Sequence, residues 1–275
     1  MGLLRDKTAV IYGGGGAIGG AMARTFAREG AQVFIAGRTR DKLERVAAAI
    51  AADGRNSQGE IHIAALDVLE PGAVARHLES VAALTGRIDV AANAIGVMHV
   101  QGPPLAELSL DDFMFPLNTY MRANFLIAQA ASEHMAGGPA GEQGSGVILT
   151  LSTPGARTTG TGFLGYGVTC GAIETFSRIL AGELGASGIR TVCIRADALV
   201  EALPTSHAHA VFAGFAERTG ISVETMIAER ARQVSLLKRG PTLAEIAEFA
   251  AFAASDRAGA MTGAIANLTC GSVVD

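Results

Sequence analysis

The sequence predicts a single α/β domain in which a parallel sheet of about seven strands carries helices on both faces. The first observation behind this prediction is that short apolar runs alternate with longer alanine-rich stretches from end to end, as in repeated βαβ units. The second is a glycine-rich stretch, residues 13–20, that directly follows the first apolar run. The chain has 275 residues, 49% of them hydrophobic, which suffices for one large core.

Seven apolar runs are predicted as strands, because the residues between them fall at helical spacing, as Leu43, Val46 and Ile50 do. Residues 137–146, GGPAGEQGSG, are predicted as a flexible surface connection, since the same alternation resumes beyond them. The predicted strands are Thr8–Tyr12, Gln32–Ala36, Ile61–Leu66, Val90–Ala94, Gly146–Leu151, Thr191–Ile194 and Ala264–Leu268.

Charge and composition narrow the possible partners and the location. Lys and Arg total 22 against 26 Asp and Glu, a formal net charge of −4, so nucleic acid and membrane surfaces are not expected partners. The start of the chain resembles neither a signal peptide nor a transmembrane span, which predicts a cytoplasmic protein. Three scattered cysteines favour reduced thiols over disulfides, and without a CxxC or Cys/His cluster no metal site is predicted.

Residues 201–237 break the alternation, because they contain no strand pattern. We interpret this segment as a helical lid over the carboxyl edge of the sheet, within one dinucleotide-binding domain that spans residues 1–275. Two histidines of the segment, His207 and His209, have no carboxylate partner nearby in sequence. They are therefore expected to be solvated lid residues rather than ligands.

The glycine stretch is the strongest functional motif. Gly14, Gly16 and Gly19 fit the spacing G-x-G-x-x-G, whereas Gly13, Ala17 and Gly19 fit G-x-x-x-A-x-G. Residues without side chains let backbone amides approach a pyrophosphate, and the N-terminus of the following helix adds partial positive charge. The position after a strand and before a helix is the context that this motif requires. The residues predicted to hold the dinucleotide here are Gly13, Gly15, Gly16, Ala17, Ile18 and Gly19.

The end of the second strand favours NADP(H) over NAD(H). An acid there would accept hydrogen bonds from the ribose 2′-hydroxyl of NAD and repel the 2′-phosphate of NADP, but the sequence has Arg38 and Thr39 instead. Arg38 offers a planar fork suited to a phosphate, unless it is an ordinary solvated residue. Asp67 is expected to contact adenine or to cap a helix, and Asn93 is expected to contact ribose.

Taken together, these motifs resemble the short-chain dehydrogenase/reductase family over nearly the whole chain. The resemblance implies a seven-stranded parallel sheet, a nicotinamide cofactor, a small-molecule substrate and a homo-oligomer, either a dimer or a tetramer. It also implies cofactor contacts at Val68 and Ala94 and from Tyr166. The residues that carry it are the glycine loop, Asp67-Val68, Asn93-Ala94-Ile95-Gly96, Ser152, Tyr166, Leu237-Lys238-Arg239-Gly240 and Met261-Thr262-Gly263.

The resemblance implies that Ser152 and Tyr166 are catalytic, with Thr153 in place of Ser152 if the strand ends one residue later. The family's Tyr-x-x-x-Lys reads Tyr166-Gly167-Val168-Thr169-Cys170 here, so the lysine is replaced by Cys170. A neutral thiol does not lower the pKa of a phenol as a nearby cation does, by about 1 to 3 units. Reducing a carbonyl needs a phenol as the acid, so reduction with NADPH is the predicted reaction.

Other departures leave a second function open, a protein that binds NADP(H) or a ligand without turnover. The family's catalytic asparagine would fall near Tyr120, where Asn118 and Asn124 are the closest candidates. Its Pro-Gly after the sixth strand is Asp197-Ala198 in this sequence. The cation lost at Cys170 could be supplied in space by an arginine, and the candidates for that are Arg157 and Arg195.

Overall fold

Seven parallel strands form one sheet in the computed structural model of the chain, which describes residues 2–53, 61–135 and 146–275. The strand order is β3-β2-β1-β4-β5-β6-β7, and every neighbouring pair is parallel. The predicted fold class is therefore confirmed. The strands are β1 Thr8–Tyr12, β2 Gln32–Gly37, β3 Ile61–Ala65, β4 Val90–Asn93, β5 Gly146–Ser152, β6 Ile189–Ala196 and β7 Ala264–Leu268.

The strand ends differ from the predicted ones at two places that matter for the site. β5 continues one residue beyond Leu151 to Ser152, and β6 is longer at both ends than Thr191–Ile194. The predicted surface connection at 137–146 lies outside the described residues except for its last residue, Gly146, which begins β5. The α-helices of the described residues are α1 Ala17–Arg28, α2 Arg40–Ala52, α3 Ala73–Thr85, α4 Leu110–Met135, α5 Leu164–Leu184, α6 Ala208–Thr219, α7 Val223–Val234 and α8 Leu243–Ala254.

Both faces of the sheet are buried, which explains why its strands are apolar without strict alternation. Successive residues of β1 point to opposite faces, so Ala9 and Ile11 pack with α1, α2 and α8, whereas Val10 and Tyr12 pack with α3 and α4. α5 packs beside α4 on that second face. No helix in the described ranges combines the length and apolar character needed to cross a bilayer.

The topology fixes where a ligand would bind. β1 is followed by β2 on one side and pairs with β4 on the other, so the strand order reverses between β1 and β4. The loops that leave the carboxyl ends of these two strands therefore diverge and open a crevice, which is the usual ligand position in such sheets. Within residues 201–237, α6 and α7 follow a short 3-10 segment at Val200–Thr205, so this stretch is helical as predicted.

Candidate active site

A cavity of about 840 Å³ lies at the carboxyl edge of the sheet, where the strand order reverses. The glycine loop forms one wall, and the ends of β4, β5 and β6 form the floor. The 201–237 segment supplies a mostly apolar side, with four polar side chains among its members. The residues of this segment that line the cavity are Ala202, Leu203, Thr205, Ser206, His207, Ala208, Val211, Phe212, Met226, Ile227 and Arg230.

The glycine loop is packed so closely that side chains would not fit. Gly13 has a φ of +80°, and a Cβ there would lie 2.5 Å from the carbonyl oxygen of Ala94. A Cβ on Gly19 would lie 2.4 Å from the carbonyl oxygen of Gly13. Gly16 begins α1 without any side-chain cap, so the first amides of that helix are left for a ligand. This bare cradle at a helix N-terminus fits the pyrophosphate of a dinucleotide.

Most residues predicted to hold the cofactor line this cavity, and two do not. Gly19 instead faces the Gly13 carbonyl group inside the loop. Asn93 is buried, its amide nitrogen donates to Oδ1 of Asn124 at 2.9 Å, and its Oδ1 accepts from the amide of Ile95 at 3.1 Å. Asn93 therefore stabilises the turn after β4 without lining the cavity. The predicted residues that line the cavity are Gly13, Gly15, Gly16, Ala17, Ile18, Arg38, Thr39, Asp67, Val68, Ala94 and Tyr166.

Two cationic side chains line the end of the cavity beside β2. Arg38 is exposed at the end of β2, and Lys42 lies one turn into α2, beside Gly15. Sequence analysis did not identify Lys42 as a cavity residue, although its position four residues after Arg38 could have indicated it. Asp67 accepts a hydrogen bond from the amide of Leu69 at 3.0 Å. Because α3 begins only at Ala73, Asp67 closes a turn and does not cap that helix.

Tyr166 lies in the first turn of α5 and is surrounded by uncharged groups. Its ring stacks on the imidazole of His99, with centroids 4.1 Å apart and planes 17° from parallel. Burial, the neighbouring Tyr120 and Cys170 all raise the pKa of Tyr166 well above its usual range. The side chain is therefore a phenol at every pH at which the protein is expected to work. Sequence reasoning missed His99, because the loop after β4 has no recognisable motif beyond Gly96.

The hydroxyls of Ser152 and Thr153 point to different partners. Ser152 is the last residue of β5 and is buried, and its hydroxyl donates to Oε1 of Glu174 at 3.0 Å. Both residues line the cavity, and Oγ1 of Thr153 accepts from the amide of Gly155 and lies 3.2 Å from Sγ of Cys170. The strand thus ends one residue later than predicted. This is the condition under which Thr153 was expected to replace Ser152.

Cys170 stands one helical turn after Tyr166, and its surroundings keep it a thiol. Burial raises the pKa of Cys170, and the hydrogen bond with Thr153 only partly offsets that effect. Glu174 follows one turn later on the same face of α5. The position that resembles the family's lysine is therefore neutral, and a nucleophilic thiolate is not favoured there.

Neither arginine that was considered as a replacement cation points to the Tyr166 hydroxyl. Arg195 is 1% exposed and forms a bidentate pair with Glu174, with Nε–Oε1 at 2.7 Å and Nη2–Oε2 at 2.9 Å. Its remaining nitrogen binds Asp275 at 2.6 Å, and Arg157 binds the same carboxylate at 3.1 Å. These contacts raise the pKa of Arg195 further. Arg195 therefore connects α5 and β6 to Asp275, and Arg157 binds the same residue from the segment after β5.

Tyr120 occupies the place where the resemblance expected an asparagine. Its hydroxyl accepts from the amide of Val97 at 3.2 Å, its ring lies 6.2 Å from that of Tyr166, and burial raises the pKa of Tyr120 to about 12. Asn124 is buried and donates to the carbonyl oxygen of Tyr120 at 2.9 Å. Asn118 is exposed. Asn124 therefore supports the helix behind the cavity and does not line it.

Asp197, in place of the family's proline, is held by the protein itself. Its Oδ1 accepts from Nη1 of Arg230 at 2.9 Å and from the amide of Ala198 at 2.7 Å, and its Oδ2 accepts from Ser272. The end of β6 is thereby tied both to α7 and to the C-terminal segment. With all these partners, Asp197 is a structural acid and not a free charge facing a phosphate.

The two lid histidines differ from the expectation that both are solvated and without a carboxylate. His209 is about half exposed, and its Nε2 lies 3.7 Å from Oε1 of Glu224. His207 lines the cavity, with its ring edge-on to that of His99 at 6.2 Å. Their partners come from elements distant in sequence, which is why spacing alone did not reveal them.

The comparisons with known proteins agree with this geometry. Residues 15–272 match the family model described as enoyl-(acyl carrier protein) reductase. An oxidoreductase of Sarocladium schorii is 37% identical over 190 residues, which are 68% of this chain and 70% of that protein. The matched regions span 65%, 68% and 70% of the length of three curated relatives, or about two thirds. The chain therefore belongs to the short-chain dehydrogenase/reductase family of oxidoreductases.

Solved structures show the same fold. A short-chain type dehydrogenase/reductase from Mycobacterium ulcerans superimposes with a TM-score of 0.83 at 26% identity, covering 98% of this chain and 90% of that one. A short chain dehydrogenase from Burkholderia cenocepacia in complex with NADP gives a TM-score of 0.79 at 24% identity, covering 98% and 99%. Because its identity is only 24%, the second similarity is evidence for the fold alone.

The buried pair between Arg195 and Glu174 makes a testable prediction about stability. Glu174→Gln leaves the buried guanidinium with less compensation, so the free energy of unfolding should fall by about 3 kcal/mol. Glu245→Gln is the matched control, because it breaks the pair with Arg239 at the surface and should cost under about 1 kcal/mol. Urea unfolding measures both. Equal losses in the two variants would show that the buried pair has no special role.

Proposed function

We propose that this protein reduces a carbonyl group of a small or medium-sized substrate with NADPH. The observation that carries the proposal is that the phenol of Tyr166 and the hydroxyl of Thr153 line the same cavity as the bare glycine loop. The uncharged surroundings of Tyr166 favour this direction, because a phenol donates a proton to a developing alkoxide whereas alcohol oxidation requires a phenolate. When bound, the cofactor supplies the hydride.

Thr153, rather than Ser152, is proposed to bind the carbonyl oxygen. The Ser152 hydroxyl is already donated to Glu174, whereas Oγ1 of Thr153 accepts from the Gly155 amide and lies beside the Cys170 thiol. If the thiol donates to Oγ1, the proton of Thr153 is left for the cavity. It then stabilises the negative charge that develops on the substrate oxygen, and Tyr166 protonates that oxygen. In this arrangement Cys170 orients a hydroxyl and transfers no proton to the substrate.

NADP(H) is proposed in preference to NAD(H) because two cations, Arg38 and Lys42, line the end of the cavity beside β2. The adenosine of the cofactor would bind at that end. Asp67, an acid that lines the cavity, already accepts a hydrogen bond from the amide of Leu69. A guanidinium fork suits a phosphate better than a ribose hydroxyl.

The chain is also proposed to form a dimer or tetramer in the cytoplasm. The support for assembly is that large apolar side chains on α4 and α5 are exposed: Phe115, Phe125, Leu164, Val168 and Ile179. Large exposed apolar side chains on neighbouring helices are typical of subunit contacts. The three cysteines are unpaired, as is usual in a reducing compartment.

The cofactor preference is tested by Arg38→Leu. Losing a charge-assisted contact with the 2′-phosphate should weaken NADPH binding about tenfold or more and leave NADH binding nearly unchanged. Arg40→Leu is the control, since Arg40 pairs with Glu44 at 2.8 Å on the outside of α2. Fluorescence titration measures the dissociation constants. A parallel loss for NADPH and NADH would argue against phosphate recognition by Arg38.

The role of Tyr166 is tested by Tyr166→Phe with a panel of ketones and aldehydes. Removing the proton donor should lower kcat for reduction by about 100-fold or more, while the NADPH dissociation constant stays the same. Thr153→Val should also lower kcat, and by more than Ser152→Ala does. A larger loss of kcat in Ser152→Ala than in Thr153→Val would show that Ser152 makes the contact with the carbonyl oxygen. Tight NADPH binding without turnover of any carbonyl by the unmodified protein would favour the alternative, a binding protein.

Cys170→Lys tests why reduction is favoured. A cation one turn from Tyr166 should lower the pKa of the phenol by about 1 to 3 units, so alcohol oxidation near pH 7 should become about tenfold faster or more. Cys170→Met is the matched control, because it fills the site without charge and should give no such gain. Oxidation rates measured from pH 6 to 10 provide the readout. Unchanged or slower oxidation in Cys170→Lys would show that the charge at this position does not limit the reaction.

A further inference from the structure

His207 occupies a position in the cavity that the proposed reaction does not use. It precedes α6, and its carbonyl oxygen accepts the hydrogen bond from the amide of Val211 in the first turn of that helix. A Cβ on Gly96 would lie 2.2 Å from Cε1 of His207, so the imidazole rests directly on the backbone after β4. That backbone runs beside the glycine loop, because Gly13 approaches the Ala94 carbonyl and the Ile95 amide.

Within the described part of the chain, no carboxylate forms an ion pair with the imidazole of His207. The groups that act on its charge are His99, from the loop after β4, and Lys42, from α2, and both disfavour the protonated form. Within the described ranges no hydrogen bond joins its ring nitrogens to another residue. Burial, His99 and Lys42 together lower the pKa of His207 to about 4. In the free protein, the neutral imidazole of His207 is therefore held beside the cation of Lys42 and near the glycine loop, which is suited to bind an anion.

Three sources of positive charge or hydrogen-bond donors point to one region. The first source is the set of amides at the start of α1, the second is Lys42 of α2, and the third is His207 of the 201–237 segment. We propose that His207 closes over the pyrophosphate of the bound dinucleotide and takes up a proton as it does so. This inference rests on the proposed dinucleotide binding and adds to it a cofactor-binding residue on the lid.

The proposal predicts how binding depends on pH. An anion within a few ångströms raises the pKa of an imidazole by about 1 to 3 units, which would bring His207 to about 5 to 7 in the complex. Between the pKa values of the free and bound states, binding takes up protons, and the affinity falls as the pH rises through the upper value. A shift of 2 units, from about 4 to about 6, corresponds to about a 100-fold loss of affinity in all, of which about tenfold falls between pH 5 and 8. A hydrogen bond to a ribose hydroxyl would give no such dependence.

The experiment is calorimetric titration of the full chain with NADPH between pH 5 and 8, repeated in two buffers of different ionisation enthalpy. Proton uptake by the unmodified protein should be lost in His207→Asn and in His207→Gln, whose affinities should vary about tenfold less over this range. His209→Asn is the matched control and should behave as the unmodified protein, because His209 lies near Glu224 at the surface. Thermal melting confirms that each variant is folded.

A second ligand distinguishes binding of the pyrophosphate from binding of the rest of the cofactor. Adenosine 2′-phosphate carries the adenine and the 2′-phosphate without a pyrophosphate, so its affinity should be equal in His207→Asn and the unmodified protein. Equal proton uptake by NADPH in both proteins, or loss of affinity without any change in uptake, would overturn the proposed contact while leaving dinucleotide binding intact. Failure of the unmodified protein to bind NADPH at any pH would overturn the proposed function itself.

Discussion

The close approach of the glycine loop to the end of β4 is the constraint on which the rest of the site depends. Gly13 must take a positive φ and lie against the Ala94 carbonyl, and Gly19 must lie against the Gly13 carbonyl, so neither tolerates a Cβ. The consequence is that the first amides of α1 meet the carboxyl ends of β1 and β4 at one place. A polar ligand bound there replaces water at those amides and extends in both directions along the sheet edge.

Removal of one positive charge explains the character of the reaction centre. With Cys170 one turn from Tyr166, the groups that surround the phenol are an aromatic ring, a second phenol and a thiol. Arg195 is close in the fold, yet Glu174 and Asp275 hold its guanidinium group. These uncharged surroundings keep the phenol of Tyr166 and the thiol of Cys170 protonated, which suits proton donation and disfavours proton removal. The direction of the proposed reaction thus follows from the electrostatics of α5.

The sequence was sufficient to predict the sheet, and it identified the glycine loop and Tyr166, which line one cavity, because these features depend on local patterns. Alternating apolar runs and a glycine motif in a strand-to-helix turn are short-range signals. The partners of a side chain at a strand end are different, since only the fold shows that the Ser152 hydroxyl donates to Glu174 whereas Oγ1 of Thr153 lies beside Cys170. His99, Lys42 and His207 meet only through long-range packing, for which spacing carries no signal.

The two ends of the 201–237 segment are held differently, which bears on how the cavity opens. Towards its far end, Arg230 of α7 pairs with Asp197, which Ser272 also binds, so α7 is tied to β6 and to the C-terminal segment. Near its start, His207 rests on Gly96 without a hydrogen bond from its ring to any residue of the described ranges. Breaking an ion pair with a buried acid costs more than lifting an imidazole from a backbone. A ligand that binds His207 would therefore supply, near the start of the segment, a polar contact of the kind that Asp197 supplies near its far end.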